Sequence, residues 1–177
     1  MLLDWAREEG HIESNPADGL KALGDQKPAK ERRDPLSDVQ LQKIFNAPLY
    51  TGCVDDGRGY AKPGNQRPRG TRFWIPLIAH FSGMRLNEIC QLEISDLRKS
   101  PAGTFFFSVN KDGDKRIKND HSKRSVPVHP ELIKLGLIDF VRSQEAGKLF
   151  GDLTKSKHGY YSERFSRWFN EGFLKQL

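Results

Sequence analysis

The stretch His80-Phe81-Ser82-Gly83-Met84-Arg85-Leu86-Asn87-Glu88-Ile89-Cys90-Gln91-Leu92 carries two helical patterns on either side of a glycine. Upstream, Arg72–Phe81 is apolar enough to predict a core helix, with Pro76 expected to bend it near its start. Ser82-Gly83 ends that helix, and a second is expected from about Met84 to Leu92, with Ile89 and Leu92 facing inward. The break puts Arg85 at a helix start, where free N–H groups and the macrodipole favour phosphate and a guanidinium adds a bidentate clamp. Glu88 lies one turn further on, close enough to orient Arg85. Taken alone, this spacing fits an ordinary surface Arg–Glu pair better than a site.

Downstream the pattern changes to strands. Thr104–Val109 is aromatic and β-branched, Arg116–Lys118 is a second expected strand and Arg124–His129 a third, with Asp112-Gly113 and Asn119–Lys123 as turns. Pro130 opens a helix reaching about Ser143. A last amphipathic helix, Ser162–Phe173, gathers Phe165, Trp168, Phe169 and Phe173 on one side. Upstream, a helix begins after Ser37 with Val39, Leu41, Ile44 and Phe45 as its apolar stripe, and Thr51–Thr71 is a Gly/Pro-rich loop. Helices, then a small three-stranded antiparallel sheet, then helices again predict an α+β fold, mostly helical.

The first residues have a different character. Leu2–Arg7 reads as the tail of a helix stopped near Gly10, and Asn15-Pro16 opens a short helical turn through Leu23. Residues 24–35 are polar and basic, with Lys27, Pro28, Lys30, Arg32 and Arg33, as suits an extended linker. The expected organisation is therefore residues 1–23 as the last element of a preceding domain, 24–35 as a linker, and 36–177 as an incomplete domain.

Lys and Arg number 29 against 23 Asp and Glu, a net charge of +6 with a pI near 9.4. That balance is compatible with a polyanionic partner without requiring one. Cys53 and Cys90 stand alone, with no CxxC and no His/Cys cluster, which argues against a structural zinc or a disulfide framework and for a reducing cytoplasm. No apolar run approaches the ~20 residues of a membrane span, and Asp4 follows Met1–Leu3 too soon for a signal peptide. No membrane association is expected.

Gly83-Met84-Arg85-Leu86-Asn87-Glu88-Ile89, Leu92 and then Ser95-Asp96-Leu97 resemble the first conserved box of tyrosine recombinases, the phage integrase family, with Ser82 in place of the usual Thr. The run Ile117-Lys118 to Lys123-Arg124-Ser125-Val126-Pro127-Val128-His129-Pro130 is similar to that family's Lys-bearing hairpin and the Arg-x-hydrophobic-Pro-hydrophobic segment behind it. Trp5–Ile12 and Asn15-Pro16 resemble the final helix of its core-binding domain. The resemblance implies the first part of a tyrosine recombinase catalytic domain. In such enzymes a tyrosine hydroxyl attacks a DNA phosphodiester, giving a 3′-phosphotyrosyl link and a free 5′-hydroxyl, and a 5′-hydroxyl from another strand reverses the step. Carried over, Arg85 is the first phosphate clamp, Glu88 its support and Lys118 the general acid for the leaving 5′-oxygen, with Lys115 and Lys123 as alternatives because hairpin register is hard to fix. No metal or other cofactor is implied.

The resemblance also implies what should follow Phe173: a His-x-x-Arg box, then a further His or Trp, then the nucleophilic tyrosine. His158 is followed at +3 by Tyr161, and Tyr160 and Tyr161 precede the box position, so none of them matches. The chain by itself is accordingly expected neither to cleave nor to join DNA, enzymatic activity being a property of a longer parent. Double-stranded DNA and, in the parent, other recombinase protomers in a synaptic oligomer are the expected partners, in the cytoplasm of a bacterium or as the product of a phage or other mobile element. DNA contact is expected from Arg58, Lys62, Arg67 and Arg69, in a loop with five basic residues and no acidic one over Arg58–Arg72, and from Lys115, Lys123 and Arg124, in a hairpin with six basic and three acidic residues over Lys111–Arg124. Both segments also read as solvated loops. Two other classes stay open: a noncatalytic DNA-binding or regulatory remnant, and a protein-interaction module docking through an exposed Phe165–Phe173 face, which would also invite self-association.

Overall fold

The computed structural model describes residues 2–20 and 35–177. The linker expected over residues 24–35 lies, Pro35 apart, outside the described residues. Two units are distinguished, Met1–Ser37 and Asp38–Leu177.

In the first unit, α1 spans Leu2–Glu8. Asn15 closes the segment behind it: its amide donates to Asp4 at 2.8 Å while its carbonyl oxygen accepts from the Ala17 N–H at 2.8 Å. Residues 16–19 form a turn where the Asn-Pro pair predicted a short helix. The Asn15 side chain satisfies a donor by closing a local turn, which needs no helix to follow.

The second unit is α+β with one small sheet. Helices α2 (Asp38–Phe45) and α3 (Pro48–Thr51) precede the irregular loop to Gly70. The apolar helix α4 (Thr71–Ser82) runs through the core, burying Phe73, Trp74, Ile75, Leu77 and Ile78. It ends at Gly83, whose φ of 61° and N–H bond to the Ala79 carbonyl make a left-handed cap. Helix α5 (Leu86–Cys90) follows at once, shorter than expected, with Ile89 and Cys90 fully buried.

The sheet is antiparallel in the order β1 (Leu97–Lys99), β2 (Phe105–Val109), β3 (Arg124–Pro127). Phe107 pairs with Leu97 on one side and Val126 on the other. The period-two rule turns Phe107 and Val109 of β2 into the core. One expected strand is replaced: Arg116–Lys118 is loop, and Leu97–Lys99 is the third strand.

After the sheet, the helix expected from Pro130 to about Ser143 divides at Gly136 into α6 (Pro130–Lys134) and α7 (Leu137–Arg142). Helix α8 (Ser162–Arg167) continues through a π-helical segment, Trp168–Phe173. The aromatic face expected to be exposed is turned inward. Phe165 and Phe173 are buried, Trp168 meets Phe173 at a tilt and Tyr60 edge to face, and the Arg72 guanidinium lies 4.7 Å from the Trp168 ring. The loop before α4 and the α2–α3 region supply partners for Phe173 and Trp168, and full burial of Phe173 contributes on the order of 1.5–3 kcal/mol. No described helix is long and apolar enough to cross a membrane.

Candidate phosphate-binding cleft

Arg85 is the N-cap of α5, in extended conformation at φ −67° and ψ 143°. Its N–H donates to Glu88 Oε2 at 3.0 Å and its Nη1 to Glu88 Oε1 at 2.8 Å. Arg124, at the start of β3, grips the same carboxylate through Nη2 to Oε2 at 2.8 Å and Nη1 to Oε1 at 3.3 Å. Glu88 is thus a carboxylate only 3 % exposed, between two guanidiniums, whereas the Arg85 side chain is 54 % exposed. Burial works to raise the Glu88 pKa, but the hydrogen bonds from Arg124 and Arg85 outweigh it and hold the group below the usual glutamate range.

This geometry changes the expected source of anion affinity. Helix α5 has five residues, too few for a substantial macrodipole, and Glu88 already occupies the Arg85 N–H. Whatever attraction the site has for phosphate comes from side-chain cations.

Those cations converge. A cleft of about 390 Å³ is lined by Arg85, Asn87, Glu88, Arg116, Ile117, Lys118 and Tyr160, and an adjoining one of about 330 Å³ by Arg85 with His121 and Arg124. Lys118 is exposed and has no ion pair among the described residues. Arg85, Arg116 and Lys118 face Glu88 alone in the first cleft, leaving an excess of positive charge.

One helix sets the relation between Arg85 and Lys118. Gln91, the C-cap of α5, is buried, and its amide pairs with the Arg116 backbone in both directions: Nε2 donates to the Arg116 carbonyl at 2.9 Å, and Oε1 accepts from the Arg116 N–H at 2.8 Å. These bonds are why Arg116–Lys118 is not a strand, since a side chain takes the backbone groups a neighbouring strand would need. Arg85 and the segment ending at Lys118 are fixed to opposite ends of α5.

Lys115 faces the other way. Its side chain is 4 % exposed, and its ammonium contacts Asp96 at 2.8 Å, Glu93 at 3.1 Å and Asn110 Oδ1 at 3.1 Å. Lys115 is therefore held from both roles considered for it, proton donor and DNA contact, because a buried ammonium between two carboxylates does not reach an external phosphate. Glu93 passes the network to Lys148 at 3.1 Å, and Lys148 to Asp114 at 2.6 Å. Asp114 also accepts from the Tyr161 hydroxyl at 2.6 Å and Lys155 at 3.0 Å. Those bonds, Lys148's first, hold the Asp114 carboxyl well below the usual range, and the bond to Asp114 raises the Tyr161 phenol.

The other expected contacts divide. Arg58, Lys62 and Arg67 are exposed with no ion pair among the described residues. Arg69 donates to the Leu135 carbonyl at 2.5 Å and its guanidinium lies 5.5 Å from the Phe73 ring, so it serves packing as well. Lys123 makes a loose pair with Asp120 at 3.7 Å, and Arg124 is committed to Glu88. A further cavity of about 430 Å³ opens beside Phe45, Tyr50, Phe73 and Phe81, with Arg67 and Arg69 among its lining residues. It is larger, but its walls are mostly apolar and it does not gather cations as the Arg85 cleft does.

No family model, curated protein or solved structure matches the chain. The functional reading therefore stands on the residues and their arrangement. Asn87, Gln91 and Arg116 were not singled out from sequence. The available signal was a polar pair, Asn87 and Gln91, inside a helix flanked by buried apolar residues.

Proposed function

We propose that the Arg85–Lys118 cleft binds a DNA phosphodiester in the manner of a tyrosine recombinase, in a domain of that catalytic type. The observation that carries the reading is that Arg85 and Lys118, distant in sequence and singled out for paired roles, line one cleft with the clamped carboxylate of Glu88. Arg85 would hold a nonbridging oxygen, and Glu88, itself fixed by Arg124, would hold the guanidinium in place. Lys118, exposed and with no ion pair among the described residues, would deliver a proton to the departing 5′-oxygen. The role proposed for this chain is phosphate binding; strand transfer would also require the family's second arginine and its nucleophilic tyrosine.

Titration of a labelled duplex with the chain at about 50 and about 200 mM salt tests the reading. Binding is expected at the lower salt, falling steeply at the higher one as counterion release requires. Arg85→Ala and Lys118→Ala should each weaken it. Absence of binding at low salt, or unchanged affinity in both variants, would overturn the proposal.

A further inference from the structure

Tyr160 lines the Arg85–Lys118 cleft together with Ile117 and keeps 43 % of its surface exposed. Its backbone is held on all sides. Ser156 N–H donates to the Tyr160 carbonyl at 2.9 Å, and the Tyr160 N–H donates to Ser156 Oγ at 3.2 Å, closing the loop on itself. The next two residues are fastened to the cleft wall, where Asn87 Oδ1 accepts from Tyr161 N–H at 3.0 Å and Ser162 N–H at 3.3 Å.

The ring is backed by a cation. Arg116 donates from Nη1 to the His158 carbonyl at 3.0 Å, and its guanidinium lies 5.7 Å from the Tyr160 ring centroid. Gly159 makes this approach possible: a Cβ there would sit 2.8 Å from Arg116 Nη1, and its φ of 82° suits no ordinary side chain. A phenol ring supported by a guanidinium and held by a closed loop is a flat surface beside the cleft's cations Arg85 and Lys118. Flat π surfaces next to cationic grooves are how proteins hold exposed nucleobases.

We infer that Tyr160, backed by Arg116, is a stacking subsite for a nucleoside attached to the phosphate held by Arg85 and Lys118. The inference rests on the reading of that cleft as a phosphodiester site and adds the recognition of an unpaired base in a DNA strand. The base would lie on the exposed part of the Tyr160 ring without need of hydrogen bonds to its edge, so the subsite would be tolerant of sequence.

The test measures binding of thymidine 5′-monophosphate, 2-deoxyribose 5-phosphate and a thymidine trinucleotide to the chain, followed by NMR, which also reports folding. The nucleotide should bind about tenfold more tightly than the base-free sugar phosphate, the scale of one stacked base, and the trinucleotide more tightly than the nucleotide. Tyr160→Ala should abolish the advantage of the base while leaving the sugar phosphate unchanged, and Tyr160→Phe should keep it. Equal affinity for the nucleotide and the sugar phosphate, or an advantage that survives Tyr160→Ala, overturns the subsite. A trinucleotide weaker than the mononucleotide overturns the assignment to a DNA strand. Sugar phosphate binding that is absent, or indifferent to Arg85→Ala, instead overturns the phosphodiester reading beneath it.

Discussion

Lys115 and Lys118 lie on one loop between β2 and β3 and meet opposite surroundings. Lys115 is enclosed by Asp96, Glu93 and Asn110 and begins an ionic chain that runs through Lys148 to Asp114. Lys118 lines an open cleft and has no ion pair among the described residues. Between them, the Arg116 backbone is clipped to Gln91. One end of the loop spends its charge on attachment, and that attachment is what presents the charge at the other end. A count of basic residues in such a loop therefore overstates its capacity for phosphate.

The contrast is broken most directly by exchanging each lysine in turn. Lys115→Met leaves the Asp96 carboxylate, 2 % exposed, without its cation, and loss of one partner of a buried pair costs about 3–5 kcal/mol. Urea unfolding should show that loss as a lower midpoint. Lys118→Ala should change stability by no more than about 0.5 kcal/mol, as for other exposed positions, while weakening DNA binding. If Lys115→Met proved as stable as the native chain, the anchoring role would be wrong.

Gln91→Ala acts on the junction of the two regions and should cost less. It frees the Arg116 N–H and carbonyl, but Arg116 is an exposed residue and water can reach part of the vacated space. A loss of about 1–3 kcal/mol is expected, the range for groups left unsatisfied. The distinguishing measurement is hydrogen exchange: the Arg116 amide should exchange faster while amides of α4 keep their protection. DNA affinity should fall with it, as Lys118 loses its fixed relation to Arg85. Unaltered exchange at Arg116 would show that the loop is positioned by other contacts.

How legible this arrangement was depends on the range of the forces involved. The two helices around Gly83 follow from local patterning, as do β2, with its run Phe105-Phe106-Phe107, and β3. Strand β1 was not legible, because Leu97-Arg98-Lys99 has no strand pattern and owes its state to pairing with β2. Arg116-Ile117-Lys118 has such a pattern, yet its backbone partner is a side chain of α5. The burial of Lys115 depends on Asp96 and Glu93, far away in sequence, so nothing local announces it. The amphipathic stripe of Phe165, Trp168, Phe169 and Phe173 was readable, but not which surface would receive it.

Acid should separate the two regions once more, with a smaller effect on stability. The Glu88 and Asp114 carboxyls both have pKa values below their ordinary ones in the folded chain. Each therefore contributes stability that is complete above the ordinary carboxylate pKa and is lost as pH falls through the lowered folded value. Urea midpoints should be flat near neutrality and decline below about pH 4.5, where unfolded glutamates begin to take up protons. The contribution of Asp114 is reduced by solvent because its side chain is 43 % exposed, and the partners of Glu88 are half-exposed guanidiniums that water can rehydrate. The consequences for binding differ. Neutralising Glu88 removes the one negative charge from the cleft and releases Arg85 and Arg124, whereas neutralising Asp114 only loosens Lys148, Lys155 and Tyr161. Glu88→Gln should thus lower stability at pH 7 and alter low-salt DNA binding, the lost negative charge favouring it and the loosened Arg85 opposing it, whereas Asp114→Asn should lower stability and leave DNA binding as it was. An equal effect of the two substitutions on DNA affinity would mean that the cleft carries no special share of the phosphate contact.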